Sequence, residues 1–296
     1  MPLLFPRESL LQEAHAFLSR PGENQVGAEE ALSPDLAGLP LFDPPLPGIS
    51  AAHDPLSATL KAPEAIGPWF LSPEEWPPGA DSVLSFFFPF SQAVIQSNRQ
   101  TPDAPSPAWL HGRVEGQALL FRWARHLVAL LQAAGWQALC PCLDPRFASM
   151  EHRGTDRRFP SRAAFTSRWS EGNAAYISGL GTFGLHKGLI TERGTCGRFV
   201  SVLTDLPLLP TPRPYTGLYD YCTHCGACVR RCPVGAISQK AGKDHVACAY
   251  FVAWTMALYP PRYGRGQCQV GVPCQSRNPS KKRPAEGHTP PGRSAR

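Results

Sequence analysis

The chain has 296 residues, 43% of them apolar, with 29 Lys and Arg against 23 Asp and Glu, a net charge of +6. At about 150 residues per domain that length suits two domains, each with its own core, and a charged fraction of 18% excludes disorder along the whole chain. The 33 prolines, roughly twice the usual share, argue against a simple bundle of long helices, and ten cysteines are too dilute for a small disulfide scaffold. Seven of the ten fall between Cys222 and Cys274, the clustering of a metal site on one part of a larger protein.

In chain order, Met1 to Glu8 lack the basic and apolar regions of a secretory signal. Leu10, Leu11, Ala14, Phe17 and Leu18 recur at helical spacing after Pro6, which predicts a short amphipathic helix over residues 7–20. Residues 21–78 are rich in Pro, Gly and Ala and read as irregular connections. Ser82 to Phe90 is a buried strand. A helix is predicted over 115–134 from the stripe Leu120, Trp123, Leu127, Leu130, Leu131 and Ala134, with Gly135 as its stop. Strands follow at 136–143 and 195–206, and this alternation predicts an α/β layer between about 80 and 205. Pro207 to Pro214 mark a break. The predicted division is an N-terminal extension (1–80), an α/β core (81–207), an iron–sulfur domain (208–276) and a disordered basic tail (277–296). The most apolar window, Leu127 to Leu139, is broken by Gln132, Gly135 and Gln137, so no membrane span is predicted. A cytoplasmic protein with reduced thiols is expected.

Cys222-x2-Cys225-x2-Cys228-x3-Cys232-Pro233 is the most specific feature in the chain. Thiolates at three-residue spacing can wrap one cubane corner by corner, with Gly226 allowing the tight turn. Structural zinc, by contrast, pairs two C-x2-C hooks a dozen or more residues apart. In such runs the fourth Cys ligates a different cluster. A symmetric arrangement then gives Cys222, Cys225, Cys228 and Cys274 to one cluster and leaves Cys232, Cys248 and Cys268 for another, one thiolate short.

Gly179-Leu-Gly181-Thr-Phe-Gly184 fits G-x-G-x-x-G, with Asp205 about twenty residues on. The context is wrong for a dinucleotide, because the preceding Glu171 to Ser178 look helical and Gly188 falls where a helix would have to begin. The alternative is a Gly-rich turn whose backbone approaches something large. Arg153, Arg157, Arg158, Arg162 and Arg168 form a basic run that could grip a polyanion such as RNA or be a solvated loop, the latter being favoured. Lys281-Lys282-Arg283 carries the same ambiguity. Cys140, Cys142 and Cys196 read as small buried hydrophobes. His186 and Lys187 are either donors at a site or an exposed loop pair. No Asp-x-His-x-x-Gly is present.

With these motifs in place, the chain resembles the epoxyqueuosine reductase family of cobalamin-dependent iron–sulfur proteins, and more closely a 4Fe-4S ferredoxin-type branch of it. The resemblance covers roughly Ser82 to Cys274. It rests on the Gly179–Gly184 run, Gly188-Leu-Ile190, Gly197-Arg-Phe199, Thr204-Asp-Leu206, the Cys222–Pro233 motif and Tyr263-Gly264 through Gln269. It implies an N-terminal cobalamin-binding domain with a nitroreductase-like α/β core and a smaller, ferredoxin-like α+β domain with two 4Fe-4S clusters. The corrin would have no protein ligand from below, and Gly179, Gly181, Thr182, Gly184, Thr204 and Asp205 would lie against it. Electrons would pass from the clusters to cobalt and then to substrate, which in well-known members is epoxyqueuosine in transfer RNA. A flavodoxin- or ferredoxin-type donor and a small-molecule or transfer RNA substrate are the implied partners.

Two departures stand out. The family's proton-donating Asp aligns without gaps to Phe165, with Glu171 the nearest carboxylate, and a phenyl ring cannot donate a proton. Arg265 stands where relatives have a cluster Cys, the position that the ligand count leaves empty, and Cys268-x5-Cys274 is longer than the usual x3 spacing. The second cluster is then 3Fe-4S, has a non-Cys ligand, or is absent. The expected function is an iron–sulfur oxidoreductase feeding electrons to a corrinoid or substrate site. Its alternatives are a ferredoxin-type electron carrier that binds no corrinoid and a structural zinc protein.

Overall fold

The computed structural model describes residues 7–150 and 166–281. Helix α1 (Arg7–Leu18) buries Leu10, Ala14 and Phe17, the stripe expected from their spacing. Strand β1 (Leu46–Ala51) and helix α2 (Pro55–Thr59) follow, the latter capped by Asp54, whose carboxylate accepts from the Leu56 N–H. Then come β2 (Ser82–Pro89), α3 (Gln92–Gln100), α4 (Pro107–Ala133), and the short strands β3 (Ala138–Leu139), β4 (Ser149–Met150) and β5 (Thr166–Ser167). Helix α5 (Glu171–Ile177), strands β6 (Gly181–Phe183) and β7 (Leu189–Thr191) and the long strand β8 (Gly197–Thr204) complete the first two-thirds. After them lie α6 (Ala227–Arg231), β9 (Ile237–Ser238), β10 (Gly242–Lys243) and α7 (His245–Leu258).

A four-stranded sheet in the order β1-β2-β8-β3 organises the molecule. All eight residues of β2 are buried, because both its faces are covered. Leu84, Phe86 and Phe88 point with Val200 and Val202 of β8 into a core shared with α1 and α4. Phe87, from the other face, joins Tyr176 and Ile177 of α5, Ile190 of β7 and Cys228 of α6. The alternation is the period of two expected of a strand. All pairings in this sheet are antiparallel, so the expected mixture of helix and sheet is present, but not as parallel α/β units.

Four expectations need correction. The first 80 residues are not a mere extension, since β1 pairs with β2 over six residues. The strand is hidden in the sequence by Pro47 and Gly48, yet a Cβ at residue 48 would collide with the Ser178 carbonyl oxygen. Helix α4 begins at Pro107, capped by Ser106, whose hydroxyl accepts from Trp109 N–H, rather than at 115. Gly112 and Gly116 look like helix breakers; here they make room for the rings of Phe90 and Phe42, which a Cβ would meet at 2.8 Å in each case. Finally, residues 277–281 are packed rather than disordered: Asn278 is buried and its amide donates to Glu192, which also pairs with Lys281 at 2.7 Å. The predicted strand at 136–143 shrinks to β3, followed by a single 3-10 turn at Pro141–Leu143.

No described helix is long and apolar enough to cross a membrane. Arg153, Arg157, Arg158, Arg162 and Phe165 lie outside the described residues, as do Lys282 and Arg283.

Candidate functional site

The four-cysteine run folds as a loop that turns into α6. Gly226, the N-cap of that helix, sits at φ 69°, a left-handed conformation that glycine adopts at little cost. Cys228 is thereby buried on α6, Cys222 is half-buried and Cys225 is exposed. These three thiols line one cavity together with Cys274, from 42 positions beyond Cys232 (274 − 232), and with Leu185, Ile190 and Val272. Burial, followed by the neighbouring thiols, pushes Cys274 up to about 12. Burial likewise pushes Cys228 up to about 11, helped by Cys268, Cys222 and Cys225. Thiols so placed ionise together only beside a compensating cation. Four thiols around an apolar cavity are the donor set that suits an iron–sulfur cluster, whereas among the described residues no three Cys, His, Asp or Glu side chains converge closely enough to hold a single ion.

The Gly-rich run is a hairpin that grips this loop. A Cβ on Gly181 would overlap the Ile190 carbonyl oxygen across β6 and β7, and one on Gly179 would lie 2.9 Å from the Pro212 oxygen. Thr182 is fully buried, and its hydroxyl accepts the Tyr221 N–H at 2.8 Å, one residue before the first cysteine. The Phe183 N–H donates to the Leu218 oxygen at 2.7 Å. A Cβ on Gly184 would sit 2.9 Å from His186 Nε2. His186 is buried and held neutral, its pKa brought down to about 3 by burial and then by Lys243 and Arg265. Its Nδ1 accepts the Gly188 N–H at 2.9 Å, so the ring proton resides on Nε2, which faces Cys274 Sγ at 3.7 Å. The other two residues expected against a corrinoid are occupied at the far end of β8: Thr204 Oγ1 accepts the Leu206 N–H, and Asp205 Oδ1 accepts the Gln137 N–H. The glycines of the turn pack on their own hairpin and on the 211–212 segment, while Thr182 and Phe183 tie the turn to the chain just before the first cysteine.

His186 also lines a second cavity, of about 120 Å³, where the protein differs from the expected second cluster site. Of Cys232, Cys248 and Cys268, only Cys268 lines it. Cys232 lies within electrostatic reach of Cys268 and accepts the Ala236 N–H on its sulfur; Cys248 is buried on α7. The remaining wall is cationic: Arg113 of α4, Lys187, Arg198 of β8, Lys243 of β10 and Arg265, with Trp109, Phe90 and Gln269. Trp109 Nε1 donates to the Arg265 carbonyl oxygen at 2.6 Å. Burial and then the Arg265 charge bring Lys243 down to about 7, and burial and then Arg113 bring Arg198 down to about 9. Sequence reasoning missed Arg113, Arg198 and Lys243. A signal existed for one of them, an arginine flanked by Gly197 and Phe199 within an apolar strand.

Glu171, the carboxylate closest to the missing acid position, is half-buried at the start of α5, where desolvation of its carboxyl raises its pKa. The Ser201 hydroxyl donates to Oε2 at 2.7 Å and the Cys142 thiol to Oε1 at 3.2 Å. Burial and then Glu171 push Cys140 up to about 12 and hold Cys142 protonated as well. Cys196 is raised by burial and donates to the Gln269 oxygen. Arg168 donates to the Arg146 carbonyl oxygen.

Residues 218–238 match the 4Fe-4S binding domain family, and so span the whole Cys222–Cys232 run. A trichloroethene reductive dehalogenase of Dehalococcoides mccartyi is 33% identical over 112 residues, which is 34% of this chain and 20% of that protein. Among solved structures, the chain is similar to an epoxyqueuosine reductase in complex with an epoxyqueuosine-modified tRNA-Tyr stem loop, at a TM-score of 0.49 and 17% identity, covering 90% of this chain and 64% of the other. It is also similar to the catabolic reductive dehalogenase NpRdhA, at a TM-score of 0.48 and 17% identity, covering 79% of this chain and 30% of the other. The chain thus spans about a fifth of its curated relative and less than two-thirds of either solved structure.

Proposed function

We propose that the chain is an iron–sulfur oxidoreductase with a 4Fe-4S cluster held by Cys222, Cys225, Cys228 and Cys274. The observation that carries this reading is that one cavity is lined by three thiols of the motif and a fourth from far along the chain, over a segment that matches a 4Fe-4S binding domain. The names of the relatives, a reductive dehalogenase and an epoxyqueuosine reductase, support reduction as the reaction class.

A bound 4Fe-4S cluster supplies one-electron transfer. The residues around it decide how. Leu185, Ile190 and Val272 exclude water from one side of the cavity, while the exposed Cys225 brings its edge to the surface. Electrons from a flavodoxin- or ferredoxin-type donor would enter at that edge. On the inner side His186 lines both the thiol cavity and the second, cationic cavity and stands between them.

Gly179, Gly181, Thr182, Gly184, Thr204 and Asp205 do not fit as a corrinoid cradle, since Thr182, Thr204 and Asp205 already satisfy backbone N–H groups and the glycines are packed on backbone or ring atoms. No step is therefore routed through a corrinoid. Glu171, half-buried and bonded to Ser201 and Cys142, is the carboxyl that could keep a proton in this interior.

Anaerobic purification of the full chain tests the reading. About four irons and as many sulfides per chain are expected, with loss of both in Cys228→Ala and in Cys274→Ala. Zinc without sulfide would overturn it. Retention of added cobalamin through gel filtration would restore the corrinoid as an acceptor.

A further inference from the structure

We propose that the second cavity is a binding site for a small polyvalent oxyanion, standing where the cysteine count calls for a second cluster. The residues present do not fit a cluster. Of the three expected thiols only Cys268 lines the cavity, and the fourth position carries the Arg265 guanidinium, which has no lone pair to offer iron. Nor does any other wall residue supply an anionic ligand: no Asp or Glu lines the cavity.

The charges call for a counter-ion. Charges drawn partly out of water are normally paired, yet the contacts of the half-buried Arg198 and Arg113 and of the exposed Lys187 are with neutral groups. Arg198 donates to the amide oxygen of Gln117. Lys187 reaches the Tyr219 hydroxyl, and the Arg113 guanidinium lies over the Tyr263 ring at 4.7 Å. The Arg113 Nε is buried and has no hydrogen-bond partner at all. Arg113, whose Nε is sealed from solvent, lines the cavity alongside Arg198, Lys243 and Arg265, and no carboxylate faces them there.

Guanidinium forks match the oxygen pairs of tetrahedral oxyanions, and the cavity, of about 120 Å³, is large enough for an ion of phosphate or sulfate size. The free ion and the terminal phosphate of a larger molecule share this chemistry. The site does not depend on the first cluster for its charge, so it stands or falls separately from the oxidoreductase reading.

Calorimetric titration of the anaerobically purified full chain tests it, with inorganic sulfate and phosphate as probes, glycerol phosphate as the esterified probe and chloride as the monovalent control. Saturable binding of one divalent oxyanion per chain is expected. Arg113→Met should weaken it about tenfold, the loss of a charge-assisted contact, and Lys243→Gln should do likewise if the first variant does not fold. Binding of glycerol phosphate more tightly than phosphate assigns the site to an esterified phosphate, and the reverse order to the free ion. The absence of saturable binding by all three oxyanions would overturn the proposal, as would about eight irons per chain in the unaltered protein or unchanged affinity in both variants.

Discussion

Two side chains at the sites hold protons in ways that can be read out singly. Glu171 is held above its ordinary value of 4.5 by burial, so the folded protein keeps a proton that the unfolded chain releases. Its contribution to stability is complete below about pH 4.5 and is lost as pH rises through the folded value, because the folded state then gives up its excess proton. The melting temperature should therefore fall with rising pH across that window, and Glu171→Gln should flatten the dependence. An unchanged slope in the variant would show that Glu171 is not protonated in the folded state. His186 acts on the other site through its Nε2–H, which is aimed at Cys274. Donation to a ligand sulfur stabilises the more negative, reduced cluster, so His186→Leu should lower the midpoint potential. A net hydrogen bond of about 1 kcal/mol corresponds to a shift on the order of 40 mV for one electron. An EPR-monitored redox titration measures it, and a potential that rises or stays fixed would rule out the hydrogen bond.

At the level of elements, the decisive piece is the β6–β7 hairpin, whose glycines were legible as a motif but not as a clamp. The pattern G-x-G-x-x-G invites a ligand. What it accommodates is the chain's own backbone, since a Cβ at Gly181 would overlap the Ile190 oxygen. Gly181→Ala should destabilise the protein by about 3 kcal/mol, in the range of overpacked core substitutions, and should lower iron retention by loosening Thr182 from Tyr221. Denaturant unfolding and iron analysis would check both, and normal values of each would refute the clamp. The same limit on sequence reading recurs elsewhere. β2 and β8 were visible because a short run of aromatic and β-branched residues suits little besides a buried strand. β1 was hidden by Pro47 and Gly48, and the first two turns of α4 by Gly112 and Gly116, residues whose purpose lies in what packs against them. The thiol cavity could be read from spacing because ligand spacing is local chemistry. The cationic cavity could not, because Arg113, Arg198, Lys243 and Arg265 come from four distant segments and only the fold assembles them.

Across the whole molecule, the apparent break at residues 207–214 joins parts that share one interior. Thr211 bonds the backbone of Ile49 in β1 in both directions, through its own N–H to the Ile49 oxygen and through its hydroxyl from the Ile49 N–H, and Arg213 pairs with Asp54 at 2.8 Å. Further on, Val270 belongs to the core of α1, α4 and the sheet, while Cys274 and Cys228 share their core with Phe87 of β2 and Ile190 of β7. The thiol cavity is itself composite: its fourth cysteine is fixed through the Thr195 N–H, which donates to the Cys274 oxygen at 2.9 Å, and its loop through Thr182. A small segment cut from such a core loses most of the apolar surface that would order it. Residues 208–281 expressed alone should accordingly fail to hold a cluster under reconstitution conditions that load the full chain, and should lack cooperative unfolding. Co-expression with residues 1–207 should restore iron binding, because the missing half supplies Thr182, Ile190 and Thr195. Full iron loading of the isolated segment would instead mean that the cysteine loop carries its own fold, and that the hairpin only shields a site already formed.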